Sequence, residues 1–512
     1  MRFMVNIAAG LTAMLLAGGE ARAEWWKAQS RHFTVYSEGR DETLRGFAER
    51  LEKFDFLLRT ITGIDETRQG SPVQVFMLSS EDKVRKLIGD RNVAGFYSTS
   101  DRIAFAVLSR NRKTSEFDLG AEEVLFHEYT HHFMLHYFPA AYPAWYVEGF
   151  AEFFSVVKFP KDGSIQFGFV PMARAPGLVL GSPYPVKNLF ARNADGLSLA
   201  DGDRYYGTAW LLTHYYQYNT GERHKEMSRY LGDVAKGVPD MNPDSYFAGG
   251  LDGLEKDLKA YMRSRLTGSI LKISKAEPIT ITPVDPARGA VIEDELRVIN
   301  GRKTMDVADL AASLRATAGK YPDSAHVRAL LAEAEWDAEQ KDTALADADA
   351  AIALDPQNAR AHAIRAQVLL ERAHDSDKPE DWKAALSAIV KANRADTEDP
   401  VPLALFYRYH AMRGGKMPDL GYDGLYKAYT LLPQSSTYRM NLARAMAIRG
   451  EYRSASILLD PIAYSPHGSE LRDYALKMKA RLDERAAKKA AGGNVEDEGE
   501  DIVGDGPEEA EE

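Results

Sequence analysis

The chain has 512 residues, 45% of them hydrophobic, and no cysteine. That length and composition suit two or three domains with sizeable cores, and exclude disulfides, cysteine metal ligands, a thiol nucleophile and a lipid-anchored lipoprotein. The formal net charge of −11 is concentrated in Glu496–Glu512, which carries ten acids and no base, so the rest of the chain is close to neutral and no basic stripe points to nucleic acid.

The first residues read as a secretory signal over 1–23. Arg2 opens it, "FMVNIAAGLTAMLLAGG" is its apolar stretch, and "ARA" before Glu24 fits a small-residue cleavage site. The apolar run is too short and broken for a membrane span, and nothing later reaches the roughly 18 apolar residues that a spanning helix needs. The expected location is therefore periplasmic or secreted, with no stable membrane span after cleavage.

Next, "HFTVYS" has strand composition. Asp41 offers a helix cap, and Leu44, Phe47, Leu51, Phe54 and Leu58 follow at spacings of three and four, one face of an amphipathic helix. "PVQVFMLSS" reads as a strand, "EDKVRKLIG" as a short helix, and "VAGFYSTSDRIAFAV" as two strands around a polar turn. A helix carrying "VLFHEYTHHFMLHY" comes next, then a second one after Pro143 to about Val157. "DRYYGTAWLLTHYYQY", "ERHKEMSRYLGDVAKG" and "GLEKDLKAYMRSRL" look helical. A mixed domain of strands followed by helices thus occupies 24–268. Residues 269–300 lack a helical period and read as a connector.

Beyond the connector, over 301–487, the chain is rich in Ala, Leu, Asp and Arg. Pro322, Pro356, Pro400, Pro433 and Pro466 lie 34, 44, 33 and 33 residues apart, and "AHDSDKPEDW" accounts for the longer interval. A period near 34 with paired Ala-rich helices and a closing proline resembles the tetratricopeptide repeat. Ala344 and Ala351 sit where that repeat packs small residues, and Gly450 fits the turn between the two helices of one unit. Such helix pairs bury their apolar faces by stacking on neighbours and offer a groove to a protein partner. Residues 488–512 read as an acidic disordered tail.

The chemistry concentrates at His127-Glu128-Tyr129-Thr130-His131. Histidines four apart on a helix lie on one face and can share a zinc ion, and the glutamate beside them sits where a base takes a proton from water. Hydrolytic zinc needs a third protein ligand and an open position. "WYVEGFAEFF" supplies Glu148 and Glu152, four apart on one face, with Glu148 seventeen residues after His131. Glu123, one turn before His127, could brace it or serve as an acid in the first turn of the helix. His132 and His136 point away from the metal face, toward packing or surface roles.

"HEYTH" followed by "PAWYVEGFAEFF" resembles the gluzincin metallopeptidases of the thermolysin and aminopeptidase type, nearest to their peptidase MA-like relatives, over roughly residues 25–268. The resemblance implies an α+β zincin-like domain in front of an all-α tetratricopeptide-like solenoid. It implies Zn2+ held by His127, His131 and Glu148, with Glu128 as general base and Glu152 bracing a ligand histidine. The hairpin "VAGFYSTSDRIAFAV" falls where that fold has the edge strand that pairs with an extended peptide. "DRYYGTAWLLTHYY" is similar to the family's tyrosine-bearing helix start, which makes Tyr206 the donor to the oxyanion, with Tyr205 as the fallback. His214, eight residues on, is a candidate for an outer role at the cleft. The function expected is an exported zinc metallopeptidase acting on a peptide or protein substrate. The competing expectation is a non-enzymatic periplasmic binding scaffold whose zinc site is structural or inactive.

Overall fold

The computed structural model describes residues 24–39, 41–67, 70–89, 95–110, 120–175, 178, 182–191, 197–238, 241–273, 277–301, 305–465 and 469–492. The expected signal stretch, the Asp41 side chain, Pro466 and the acidic run 496–512 lie outside them. Among the described residues no helix is long and apolar enough to cross a membrane.

The front of the chain builds a six-stranded mixed sheet from β1 (Trp25–Gln29), β2 (Phe33–Glu38), β3 (Val73–Leu78), β4 (Gly95–Thr99) and β5 (Ala104–Ser109), with a late strand described below. β2 and β3 are parallel, so the chain must cross over between them, and α1 (Asp41–Thr62) provides the crossing. β3 and β5 are also parallel, linked through α2 (Glu81–Ile88) and the antiparallel strand β4, which forms one edge of the sheet. Along the central strands successive residues feed two cores. Val35, Val75 and Ala106 face α1 and its neighbours, while Tyr36, Phe76 and Val107 face the other side with Val84 and Leu87 of α2. Both faces are covered, which is why these strands read as apolar throughout. The five residues expected to form the buried stripe of α1, Leu44 to Leu58, all lie in the first of these cores.

The helical part follows as α3 (Ala121–Tyr137), α4 (Ala144–Ser155), α5 (Val186–Ala191), α6 (Leu199–Tyr218), α7 (Glu222–Ala235) and α8 (Gly250–Met262). A small ribbon pairs β6 (Ile165–Phe167) with β7 (Ser269–Leu271).

The connector expected over 269–300 differs from that reading. β7 lies within it, β8 (Thr280–Pro283) adds to the sheet beside β1, and α9 (Ile292–Ile299) covers the second face of the sheet with Ile292, Leu296 and Ile299. Strands of three and four residues are too short to display a period, and an eight-residue helix gives only two turns of one.

From Val307 the chain is a stack of helices joined by short turns. These are α10 (Val307–Lys320), α11 (Ala325–Asp337), α12 (Lys341–Leu354), α13 (Ala359–Ser376), α14 (Pro379–Ala395), α15 (Pro400–Arg413), α16 (Asp419–Leu431) and α17 (Ser436–Ile448), followed by Tyr452–Leu458 and Glu470–Ala490. Each helix from α10 to α17 packs on the next, and α11, α13 and α15 also touch in turn. The chain therefore contains tetratricopeptide-like helical repeats. Ala344, Ala348 and Ala351 are fully buried, small enough to let neighbouring helices close on one another. Pro322, Pro356 and Pro433 fall just past helix ends, and Pro400 opens a helix at its first position. Gly450 adopts φ 72° in the turn after α17. The insertion at 373–382 lengthens α13 and begins α14 rather than forming a loop.

The array is docked on the front domain. Ala428, Leu432 and Tyr438 belong to the same core as the sheet and α3. The turn between β4 and β5 enters the array, where Arg102 ion-pairs with Asp399 and the Tyr438 hydroxyl donates to the Asp101 carbonyl. Beside that turn a groove of about 520 Å³ runs along the array, walled by Trp336, Gln367, Arg408 and Asn441.

Candidate metal centre

The back of α3 fixes its rotation. Phe126, Tyr129 and Phe133 are buried, with Phe126 against Phe54 and Tyr129 against Phe33. The Tyr129 hydroxyl donates to Asp55 at 2.7 Å, and Asp55 is paired with Arg59 at 2.6 Å. At the start of the helix Glu123 accepts from the Gly120 N–H at 3.1 Å, capping the first turn. With the apolar face committed to the core, His127 and His131 turn toward α4.

α4 begins after Pro143 and carries Glu148, which is fully buried, and Glu152. Gly149 sets its distance from α6, because a Cβ there would meet Ala209 O and Thr213 Oγ1 at 2.4 Å. The absence of that carbon lets the two helices touch, and Tyr206 of α6 lies near enough to feel the charges of Glu148, Glu152 and Glu128.

Three donors converge. His127 Nε2 and His131 Nε2 are 3.0 Å apart, and Glu148 Oε2 lies 3.2 Å from the first and 3.5 Å from the second. Ligands at roughly 2.0–2.1 Å from a tetrahedral ion sit about 3.3 Å from one another, so these spacings suit such an ion. Among the described residues this is the cluster of three such side chains able to hold a metal. Burial alone would lower the His127 pKa. Its hydrogen bond with Glu148 and the charges of Glu152, Glu148 and Glu128 override that and raise it to about 9. Burial would likewise raise Glu148, but the charge of His131 and the hydrogen bonds of both imidazoles hold it well below the usual carboxylate range. The carboxylate charge that holds a proton on His127 would attract a metal cation in that proton's place. The donor set of two imidazoles and one carboxylate is the one expected of a hydrolytic zinc ion with an open position.

The surrounding residues are placed as follows. Glu152 Oε1 lies 3.5 Å from His127 Nδ1, the ring atom that faces away from the other donors. Glu128 is half-buried, and its charge is felt by His127, by Tyr97 on β4 and by Tyr206. Tyr206 is partly exposed, whereas Tyr205 is fully buried against Tyr184. Burial, then the charge of Glu148, pushes the Tyr206 phenol well above its ordinary pKa, with Arg174 opposing, so it stays protonated and able to donate. A cleft of about 270 Å³ opens beside His127 and Glu152, walled by Glu123, Phe169 and Met172.

His214 is a correction to the sequence reading. Its Nδ1 is 2.8 Å from the Tyr261 hydroxyl, its Nε2 is 3.3 Å from Thr267 O, and it sits among Phe153, Trp210 and Tyr218. Eight residues along a helix return about 80° off the starting face, enough to take it from the cleft into the core behind α4. His132 is buried with Nδ1 2.8 Å from the Tyr97 hydroxyl, and Gln434 of the array donates to its carbonyl at 3.3 Å. His136 lies 3.4 Å from the same Gln434 amide.

Sequence reasoning passed over Arg174. It sits in the turn 172–174, and no pattern in the sequence marks it. In the structure its guanidinium contacts Glu152 and Asp203 and covers the Tyr206 ring.

No family model matches the chain, and no curated protein matches it. Among solved structures, it is similar to a thermophilic TPR protein from Thermus thermophilus, at 15% identity over 35% of this chain and 91% of that one, with a TM-score of 0.30. It is also similar to MamA, at 16% identity over 36% and 92%, with a TM-score of 0.24.

Proposed function

We propose that the chain is an exported, zinc-dependent peptidase whose catalytic domain has a zincin-like fold and whose helical repeats bind protein. The observation that carries this reading is the convergence of His127 Nε2, His131 Nε2 and Glu148 Oε2 within 3.5 Å, with Glu128 on the same helix and Tyr206 near enough to feel the charges of Glu148 and Glu128. His127, His131 and Glu148 would hold the ion, and a bound zinc supplies polarisation of the scissile carbonyl and acidification of water. Glu128 takes the proton of the attacking water on its carboxylate and returns it to the leaving amine nitrogen. Tyr206 donates its phenolic hydrogen to the carbonyl oxygen as that oxygen becomes negative. Glu152 meets His127 Nδ1 and holds the ring in the orientation that leaves Nε2 for the ion. The edge position of β4, next to α3, favours an extended peptide laid along that strand.

The test joins metal analysis of the purified protein to hydrolysis of a peptide library, with Glu128→Gln as the control. We expect about one zinc per chain in both proteins and at least ~10²-fold slower hydrolysis in the variant. Equal turnover by the two metal-loaded proteins would remove Glu128 from the mechanism. Zinc in both without hydrolysis by the wild type would favour a binding scaffold with an inactive site.

A further inference from the structure

Arg174 joins two parts of the site that the chain otherwise leaves separate. Its Nε and Nη2 both donate to Glu152 Oε1, at 3.2 and 3.1 Å, and that is the same oxygen that faces His127 Nδ1 at 3.5 Å. Its Nη1 donates to Asp203 at 3.0 Å, one turn before Tyr206 on α6. The guanidinium carbon Cζ lies over the Tyr206 ring, 4.7 Å from its centroid. One side chain thus spans α4 and α6 and touches both the carboxylate behind a ligand histidine and the ring of Tyr206. The residues just before it, Phe169 to Ala173, wall the cleft beside His127 and Glu152.

The chemistry requires an arginine. A lysine has one nitrogen and no plane, so it could pair with Glu152 but could not also fork to Asp203 and cover the ring. The Glu152 side chain is 3% exposed and that of Arg174 19%, so the pair is shielded and its geometry is held firmly, whereas the Asp203 contact lies at the solvent edge.

We propose that Arg174 is a positioning residue of the catalytic site, aligning Tyr206 for the oxyanion and Glu152 for His127 through a single guanidinium. This rests on the peptidase reading for its kinetic consequence and on the metal cluster alone for its binding consequence.

The experiment compares Arg174→Gln and Arg174→Lys with Tyr206→Phe, Glu152→Ala and the corresponding double variants. Each is measured for kcat and KM on a peptide substrate and for zinc affinity by chelator competition. Arg174→Gln should lower kcat by about 10–10²-fold with KM nearly unchanged, since the misplaced phenol acts in the transition state. Adding Arg174→Gln to Tyr206→Phe should cost little more, because the two changes remove one alignment. Zinc affinity should fall by roughly 10-fold, again with little further loss when Glu152→Ala is already present. Arg174→Lys should restore zinc affinity more than kcat, because it returns the charge near Glu152 but not the fork that reaches Asp203 and holds the side chain over the ring. If both losses multiply in full across the double variants, or KM alone changes, Arg174 is a structural staple and the proposal is wrong. If Arg174→Gln does not fold, the split expected for Arg174→Lys decides. If the wild type hydrolyses no peptide, the peptidase reading fails, and the zinc-affinity cycle between Arg174 and Glu152 still decides whether Arg174 positions the cluster.

Discussion

Gly149→Ala is expected to separate stability from activity. The added carbon would stand 2.4 Å from Ala209 O and from Thr213 Oγ1, and 2.7 Å from the Ala209 carbonyl carbon. Ordinary carbon–oxygen contacts need close to a further ångström, and two of the three obstructing atoms are helix backbone, so α4 and α6 must move apart. Overpacking of this kind costs about 1–3 kcal/mol. Replacing a mid-helix glycine with alanine returns about 1 kcal/mol of helix propensity. The net loss is therefore about 0–2 kcal/mol, which lowers the Tm of a domain this size by at most about 8 °C. The functional loss is larger. α6 carries Tyr206, α4 carries Glu148, and a misplacement of about 1 Å between reacting groups can cost ~10²-fold in rate. The ligand pair on α3 is untouched, but Glu148 moves with α4, so zinc affinity should fall as well, though less than in Glu148→Ala. The assay is a thermal melt, a zinc titration and steady-state kinetics on one preparation. Unchanged kcat would refute the argument that the α4–α6 spacing sets the catalytic cleft. A raised Tm would refute the steric premise itself.

Glu148→Ala should abolish tight zinc binding, whereas Glu152→Ala should weaken it by roughly 10–100-fold, and a metal titration giving the reverse order would swap the two roles. Tyr206→Phe should slow turnover by about 10²–10³-fold at equal zinc content, while Tyr205→Phe, altering a ring packed on Tyr184, should leave kinetics intact. Burial lowers the His214 pKa from 6.5 to about 4, with the bond to Thr267 O opposing. The unfolded chain then binds more protons than the native one between those values, so this residue's share of stability is complete above pH 6.5 and is lost as pH falls toward 4. His214→Gln should flatten that part of the stability–pH curve in urea titrations. An unchanged slope would show that His214 does not titrate on unfolding.

The sequence by itself determined whatever repeats at short range. The face of α1 from Leu44 to Leu58 was legible because each apolar residue falls three or four after the last. The α3 histidine pair was legible for the same reason, since a four-residue spacing fixes one face of a helix whatever surrounds it. The period near 34 marked the helical array because each unit repeats the same packing problem. The tertiary structure decided everything that depends on which face meets which neighbour. It left Tyr206 half-buried beneath Arg174 and sent Tyr205 into the core, a choice made by what packs on α6 and invisible in two adjacent tyrosines. It removed His214 from the cleft, since the 80° drift over eight residues matters only once α4 is in place. It wove β8 and α9 into the front domain and seated the β4–β5 turn in the array, through contacts such as Arg102 with Asp399, nearly 300 residues apart. And it brought Arg174, from a turn with no pattern of its own, between Glu152 and Tyr206. Short-range periodicity is written in the chain because backbone geometry repeats, whereas contacts between distant segments depend on the packing of whole elements, which no local spacing encodes.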